Sequence, residues 1–449
     1  MNEQKDGIPS FAAAFKVWLR IGLLSFGGPA GQIALLHREV VDERHWIGER
    51  RFLHALSFCN LLPGPEAQQL ATYLGWLMHG VKGGLAAGII FVLPGALVML
   101  GLSLIYALAG QVPIVDAIFF GLKAAVLVFV LEAVLRIGRR ALKGRVAWTL
   151  ATAAFVALFF FHVPFPAVVL ISGAIGYLAP DQFSHGGHGQ AKLDRLAAID
   201  AMLAADPDRP QRLAAAARRA GLIALVLWLT PVAILMVWAG GTFADIAWFF
   251  SKMAVVTIGG AYAVLAYVAQ DAVEAYHWLS PAEMLAGLGL AETTPGPLIL
   301  VLQFVGFLAG FRAHGPVTGV SGGILGAILT LWVTFAPCFV FVFLGAPLVE
   351  RLQSNVKLSG ALAAVTASVV GVVANLAVWF ASQVLFRAHT LFLAGPVAFD
   401  VPVLVSADLA ALALAALAAV CLFRLKLGVL KTLGITSAAG LALRLVLAL

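Results

Sequence analysis

The chain has 449 residues, of which 62% are hydrophobic and 11% charged, and its mean hydropathy is +0.98. A soluble domain carries about 25% charged residues, so a soluble enzyme, a secreted disulfide scaffold and a disordered chain are excluded, and an all-α integral membrane protein fits. Lys and Arg number 29 against 22 Asp and Glu, a net charge of +7, which in such a chain reads as basic cytoplasmic loops rather than nucleic-acid binding.

Taken in chain order, stretches apolar enough to span or enter a bilayer fall near 11–35, 52–78, 83–109, 114–137, 146–161, 164–179, 219–239, 246–270, 283–310, 318–345, 357–381, 403–423 and 428–449. The polar start MNEQKDGIPS leads into a segment carrying Lys16 and Arg20, so no cleavable signal peptide is expected. His162, Pro164 and Pro166 separate two short stretches and predict a tight hairpin there. A polar linker follows; its middle, AKLDRLAAIDAMLAA, predicts a short interfacial amphipathic helix. His185 and His188, set among glycines in the linker, read as plain loop rather than metal ligands. Cys59, Cys338 and Cys421 lie apart in apolar segments and predict neither a disulfide nor a thiolate metal site. No H-E-x-x-H, P-loop or G-x-S-x-G motif occurs, so neither an enzyme nor a cofactor is expected.

The chain contains an internal repeat. Gly27-Gly28, Trp46 and Pro63-Gly64-Pro65 recur 232 residues later as Gly259-Gly260, Trp278 and Pro295-Gly296-Pro297. The same register sets Arg20 over Lys252, Ser25 over Thr257, Glu39 over Asp271, Asp42 over Glu274 and Asn60 over Glu292. Gly83-Gly84 and Gly322-Gly323 match after a small insertion, and Pro94 and Pro337 more loosely. The expected organisation is an N-terminal repeat (1–179), a cytoplasmic linker (180–218), an extra transmembrane helix (219–245) and a C-terminal repeat with terminal helices (246–449).

Loop charge predicts how the halves are oriented. Loop 36–51 carries Arg38, Arg44, Arg50 and Arg51, whereas its counterpart 271–282 has no Lys or Arg and has Asp271 and Glu274. Lys and Arg mark the cytoplasmic side, so equivalent loops are expected on opposite faces, as in the inverted repeats of secondary transporters. Loop 138–145, with Arg139, Arg140, Lys143 and Arg145, is also expected to be cytoplasmic. Every basic loop lies inside only if 11–35 and 52–78 enter the bilayer and return.

Each of those segments has its breaker in the middle: SFGGPAGQ (25–32) and NLLPGPEAQQ (60–69), with TIGGAY (257–262) and ETTPGPL (292–298) in the second half. Proline removes an amide donor and glycine frees the backbone. Open backbone is tolerated at membrane depth only in protein or a wet cavity, so four matched breaks predict one central cavity. Helices restarting at Pro65 and Pro297 would aim N-terminal amides into it, a site suited to anions. The expected substrate-binding set is Arg20, Lys252, Ser25, Gly27, Gly28, Gly64, Gln68, Gln69, Thr257, Gly259, Gly260 and Gly296. The expected proton carriers are Glu66 and Glu292. Competing readings are helix packing for the glycines, snorkelling for Arg20 and Lys252, back-bonding for Ser25 and Thr257, and helix capping for Glu66.

These motifs resemble the chromate ion transporter family in its long-chain, two-repeat form. The resemblance is carried by FGGPAGQIALLHREVVDERHWI (26–47), FLHALSFCNLLPGPEAQQLATYLGW (52–76), GLAAGIIFVLPG (84–95), SKMAVVTIGGAYAVLAYV (251–268) and LAETTPGPLILVLQFVGF (290–307). It covers roughly 11–140 and 246–381; the linker and 403–449 are less diagnostic. The resemblance implies proton-driven chromate efflux across the inner membrane and chromate resistance. Sulfate, a dianion of similar shape, is the alternative substrate, and a passive anion channel the alternative mechanism. The expected partners are the oxyanion and the lipid bilayer, and the large apolar surface is compatible with a homodimer.

Overall fold

The computed structural model describes residues 9–26, 28–110, 112–183, 197–206, 208–256, 261–346, 355–395 and 397–447. The first-half elements are α1 (Phe11–Leu24), α2 (Gly28–His37), α3 (Glu49–Cys59), α4 (Glu66–Ala109), α5 (Pro113–Ala141), α6 (Arg145–Phe161) and α7 (Phe165–Leu178). Helices α8 (Ala198–Ala205) and α9 (Arg209–Ile234) follow. The second half has α10 (Gly241–Val256), α11 (Ala261–Gln270), α12 (Pro281–Thr293), α13 (Val301–Phe311), α14 (Gly319–Gly345) and α15 (Val356–Leu385). Strands β1 (His389–Ala394) and β2 (Val397–Pro402) precede α16 (Leu409–Ala419) and α17 (Val429–Leu447).

Six helices are long and apolar enough to cross a membrane. Leu97, Leu108, Val237 and Trp238 stand fully outward on them; in a soluble protein such a surface would aggregate, and here it faces lipid. The molecule is an all-α, multi-pass integral membrane protein.

The 44-residue α4 is not one span. His79 (φ −128°, ψ 21°) and Gly80 (φ 63°, ψ −152°) leave helical geometry and fold residues 66–78 back along 81–109. Glycine permits the positive φ, and small residues permit the contact. A Cβ on Gly83 would sit 2.2 Å from the Gly75 carbonyl oxygen, and one on Gly88 2.3 Å from Thr72 Oγ1. The second half repeats this between α13 and α14, with Gly322 against the Gly310 carbonyl and Gly326 against that of Gly306. The matched Gly-Gly pairs thus line two helical hairpins.

The two broken segments of the first half start and finish at one end of the molecule. At about 1.5 Å per residue, α1, α2, α3 and the first limb of α4 are each about 15–21 Å long, against a hydrocarbon core of about 30 Å. The start of α1 meets the end of that limb, where His79 Nε2 lies 2.9 Å from the Pro9 carbonyl. Arg209, opening α9, donates to the Met78 carbonyl at 3.1 Å. The α2–α3 loop is there too. The amides of Ala198 and Ile199 donate to the carbonyls of His45 and Trp46, and Asp200 accepts from the Gly48 amide at 2.7 Å and from Arg51. The linker piece expected at a lipid interface thus docks its described part, α8, on protein.

The repeat register holds in the backbone. His45 and His277 both take left-handed conformations (φ 50° and 52°) after a π-helical turn. The amides of Trp46 and Trp278 donate to the carbonyls of Val40 and Ala272. Gly64 and Gly296 both have positive φ, 119° and 100°. Farther out the halves exchange partners: α6 and α7 pack on α15, while α16 and α17 pack on α5. The α6–α7 hairpin turns at His162, as expected from its prolines. The extra helix begins at Arg209, before the expected 219. The β-hairpin, which the sequence reading did not anticipate, turns at Gly395 and sets Phe399 against Phe159 and Phe160.

Candidate functional site

The two Pro-Gly-Pro turns seat reciprocally beside the in-helix prolines of opposite halves. Gly64 lies against α14, where its Cβ position is 3.0 Å from Cys338 Sγ, one residue past Pro337. Gly296 lies against the second limb of α4, next to Gly95, which follows Pro94. A Cβ on Gly95 would fall 1.8 Å from the Pro295 carbonyl oxygen. The loosely matched prolines of the two halves therefore mark equivalent seats.

The α1–α2 break grips the second turn. The Gly296 amide donates to the Ser25 carbonyl at 2.7 Å, and Gln32 Nε2 donates to the Gly296 carbonyl at 2.5 Å. Gly22 brings α1 to within 2.4 Å, measured from a Cβ position, of the Ile90 carbonyl, which Pro94 leaves without its helical donor. The first turn is held from within its own half: Gln69 Nε2 donates to the Pro63 carbonyl at 2.6 Å. Gln303 ties α13 to the Ala96 carbonyl at 2.9 Å.

The expected residues are distributed as follows. Ser25 and Gly296 meet at the second turn, while Gly28 opens α2 with nothing within 4 Å of its Cβ position; Gly64, Glu66, Gln68 and Gln69 form a cluster that includes Cys59 and Cys338. Ser25 does not back-bond: its Oγ is buried and without a hydrogen-bond partner among the described residues. Gln68 Nε2 donates to Thr72 Oγ1 at 3.3 Å. Glu66 opens α4, and Glu292 is buried near the end of α12. Gly27, Thr257, Gly259 and Gly260, with the linker histidines, lie outside the described residues.

The two expected cations stand within their own hairpins. Arg20, 53% exposed, pairs with the fully buried Glu39, Nε to Oε1 3.3 Å. Arg44 Nη1 reaches the other oxygen of Glu39 at 2.5 Å and its carbonyl at 3.0 Å. Lys252 lies over the rings of Phe249 (5.8 Å) and Tyr267 (5.5 Å), beside Asp271, which accepts from the Tyr267 hydroxyl. The matched acids Glu39 and Asp271 thus serve the matched cations Arg20 and Lys252, and the side chains bonded to the turns, Gln32 and Gln69, are neutral.

Sequence reasoning missed Gln32, although it stands inside the quoted SFGGPAGQ break. It also missed Cys338 and Gln303, whose positions carry no local signal. Two cavities lie away from the turns. One, of about 210 Å³, is bounded by Arg140, Lys143, Gln182 and Thr366. The other, of about 270 Å³, lies under the β-hairpin and is bounded by His162, Glu274, Asn375 and Asp400.

The chain matches the family described as Chromate transporter over residues 12–177 and 244–443, one stretch in each half. It belongs to the chromate transporter family. A chromate transport protein of Pseudomonas aeruginosa is 33% identical over 81% of this chain and 79% of its own. A probable chromate transport protein of Synechococcus elongatus is 26% identical over 85% and 87%. A chromate transport protein of Cupriavidus metallidurans is 25% identical over 84% of each. No solved structure matches. Membership in the chromate transporter family and the six apolar helices agree on a multi-pass membrane transporter.

Proposed function

We propose that this protein exports chromate from the cytoplasm across the inner membrane, exchanging it for protons by alternating access of two inverted repeats. The observation that carries the reading is the reciprocal seating of the Pro-Gly-Pro turns. Two helix restarts, each after a positive-φ glycine, stand against the residue that follows an in-helix proline of the opposite half. Their first-turn amides and dipoles favour an anion, and two equivalent seats let one open while the other closes.

Inversion is supported by where the equivalent loops fall along the second limb of α4. Loop 43–51 lies with Pro9, His79 and α8 at the start of that limb. Its counterpart is at the other end, where Glu283 and Arg312 pair beside Tyr106, whose ring meets Phe304 at 5.2 Å. In this reading the basic loop faces one side of the membrane and the acidic one the other. In this reading the repeats are 1–179 and 246–449, joined through a linker and an odd crossing at 219–245. Glu66 and Glu292, at matching turns, carry the coupling protons. Arg20 and Lys252 contribute potential from a distance.

Everted vesicles test the proposal. Chromate is expected to accumulate while a proton gradient stands and to cease accumulating when a protonophore collapses it. Equal flux after collapse would make the protein a passive channel, and uptake of sulfate in preference to chromate would reassign the substrate.

A further inference from the structure

We infer that a single oxyanion binds per chain beside the second Pro-Gly-Pro turn, held by the Gln32 side-chain amide, the Gly296 main-chain amide and the Ser25 hydroxyl. The inference rests on the export reading above and names the site within it. The donors are already together. Gly296 N–H points to the Ser25 carbonyl and Gln32 Nε2 to the Gly296 carbonyl. Ser25 is 0% and Gln32 1% exposed. Ser25 Oγ, buried beside them, has no partner among the described residues. Leaving a buried hydroxyl unpaired is costly, and such a group in a native protein calls for a ligand or other explanation.

The chain's own carbonyls accept from the other two donors. A tetrahedral oxyanion brings oxygens that replace both carbonyls and also take the free Ser25 hydroxyl. Helix α2 starts at Gly28 and the 298–300 turn follows Pro297, so two helix N-termini flank the place and favour negative charge. Entry of the anion therefore exchanges the Gln32–Gly296 and Gly296–Ser25 bonds for bonds to the anion. That exchange releases the second turn from the α1–α2 break and couples occupancy to movement of one half against the other.

The site occurs once because the repeat is imperfect at this position. In the 232-residue register Gln32 falls on Val264, which offers no donor, while Gln68 and Gln69 fall on Leu300 and Val301. The first turn is held by Gln69 from its own helix instead. Sequence symmetry alone would suggest two anions; the side chains support one.

The test uses the purified full-length protein, chromate-dependent unfolding temperature and equilibrium dialysis with radiolabelled chromate. Wild type is expected to bind one chromate per chain. Ser25→Ala removes an unsatisfied hydroxyl, so its unfolding temperature without chromate is expected to stay or rise while chromate affinity falls several-fold. Gln32→Ala is expected to weaken chromate about tenfold or more, the scale of a hydrogen bond to a charged group. Thr436→Ala removes a buried bond within α17, away from both turns, and should keep wild-type affinity. Should Gln32→Ala fail to fold, Ser25→Ala decides. Two chromates per chain, or wild-type affinity in Ser25→Ala, overturns the inference. If wild type moves no chromate in vesicles, the export reading itself fails; if it does and the variants bind normally, only this site is wrong.

Discussion

The seating of the second turn makes a sharp prediction for Gly95→Ala. The new Cβ would stand 1.8 Å from the Pro295 carbonyl oxygen and 2.6 Å from Leu300 Cδ1. A leucine methyl can swing aside; a carbonyl in a turn moves only with its backbone. That backbone is pinned, because Gly296 is bonded through both its amide and its carbonyl. To bring the contact even to 3.0 Å the turn must retreat by more than an ångström, which neither bond survives at hydrogen-bonding length. Overpacking costs about 1–3 kcal/mol, and a buried group left unpaired about 1–3 kcal/mol more. Alanine in a helix returns about 1 kcal/mol. Gly95→Ala should therefore lose about 1–5 kcal/mol. Gly101, two turns on in the same helix, has nothing within 4 Å of its Cβ position, so Gly101→Ala should gain about 0.5–1 kcal/mol. Thermal unfolding in detergent and chromate uptake by everted vesicles read both variants. A Gly95→Ala protein that unfolds and transports like wild type would show that the second turn does not sit on α4.

Three further expectations concern other parts of the molecule. Arg44→Ala leaves the buried Glu39 with only the longer Arg20 contact and should cost about 1.5–3 kcal/mol, whereas Arg20→Ala, at an exposed partner, should cost under about 1 kcal/mol; adding Glu39→Gln to Arg44→Ala should restore much of the loss in thermal unfolding. Gly83→Leu cannot fit against the Gly75 carbonyl and should abolish the folded protein in the membrane fraction, while Gly434→Ala, with open space around it, should not. Asp408 caps α16 through the amides of Ala410 and Ala411 and pairs with Arg387. Burial raises its pKa, but the bonds from Arg387 and the two amides outweigh that and hold the carboxyl below its usual range. A folded-state pKa below the unfolded value stabilises above the unfolded value, about 3.9, and the benefit fades as pH falls through the folded one. Asp408→Asn should thus lower the unfolding temperature at pH 7 and show a shallower drop between pH 4 and 3.

What the sequence made legible was whatever has a local backbone signature. The register from Gly28 to Pro65 could be read because positive-φ glycines and helix-restarting prolines are dictated by their own geometry. It reappears in the matched dihedrals of His45 and His277 and of Gly64 and Gly296. The fold-back at His79–Gly80 was legible only as a gap between two apolar runs, since a single glycine within a helix gives no turn direction. The partners of the turns were not legible. Cys338 and Gly95 meet them, and Gln303 meets Ala96, across more than two hundred residues of chain, and nothing about a cysteine or a glutamine in an apolar run announces its neighbour. Arg20 and Lys252 were recognised as paired positions, but their acids, Glu39 and Asp271, were aligned as another pair of matches rather than as counter-ions. The β-hairpin was missed because the chain was read for helical runs, and its exposed strands follow no buried period.

The placement of those counter-ions bears on turnover. A cation 4 Å from the anion in a partly desolvated site contributes about 4 kcal/mol at an effective dielectric of about 20, which is about a thousandfold in affinity. Two such cations would hold a dianion far longer than a transport cycle allows, since conduction demands binding weak enough for release. Here Arg20 is tied to Glu39 and Lys252 stands beside Asp271, while Gln32, Gly296 and Ser25 offer only neutral donors. Positive charge lies instead on exposed residues at the junction of α5 and α6, Arg139, Arg140, Lys143 and Arg145, where it raises the local concentration of anions without gripping them. On this division, moving charge inward should be harmful: Glu39→Gln, which frees Arg20 and Arg44 from their counter-ion, should tighten chromate binding and slow its release. Transport at or above the wild-type maximal rate in Glu39→Gln, with affinity increased, would refute the claim that a neutral site is what lets the anion leave.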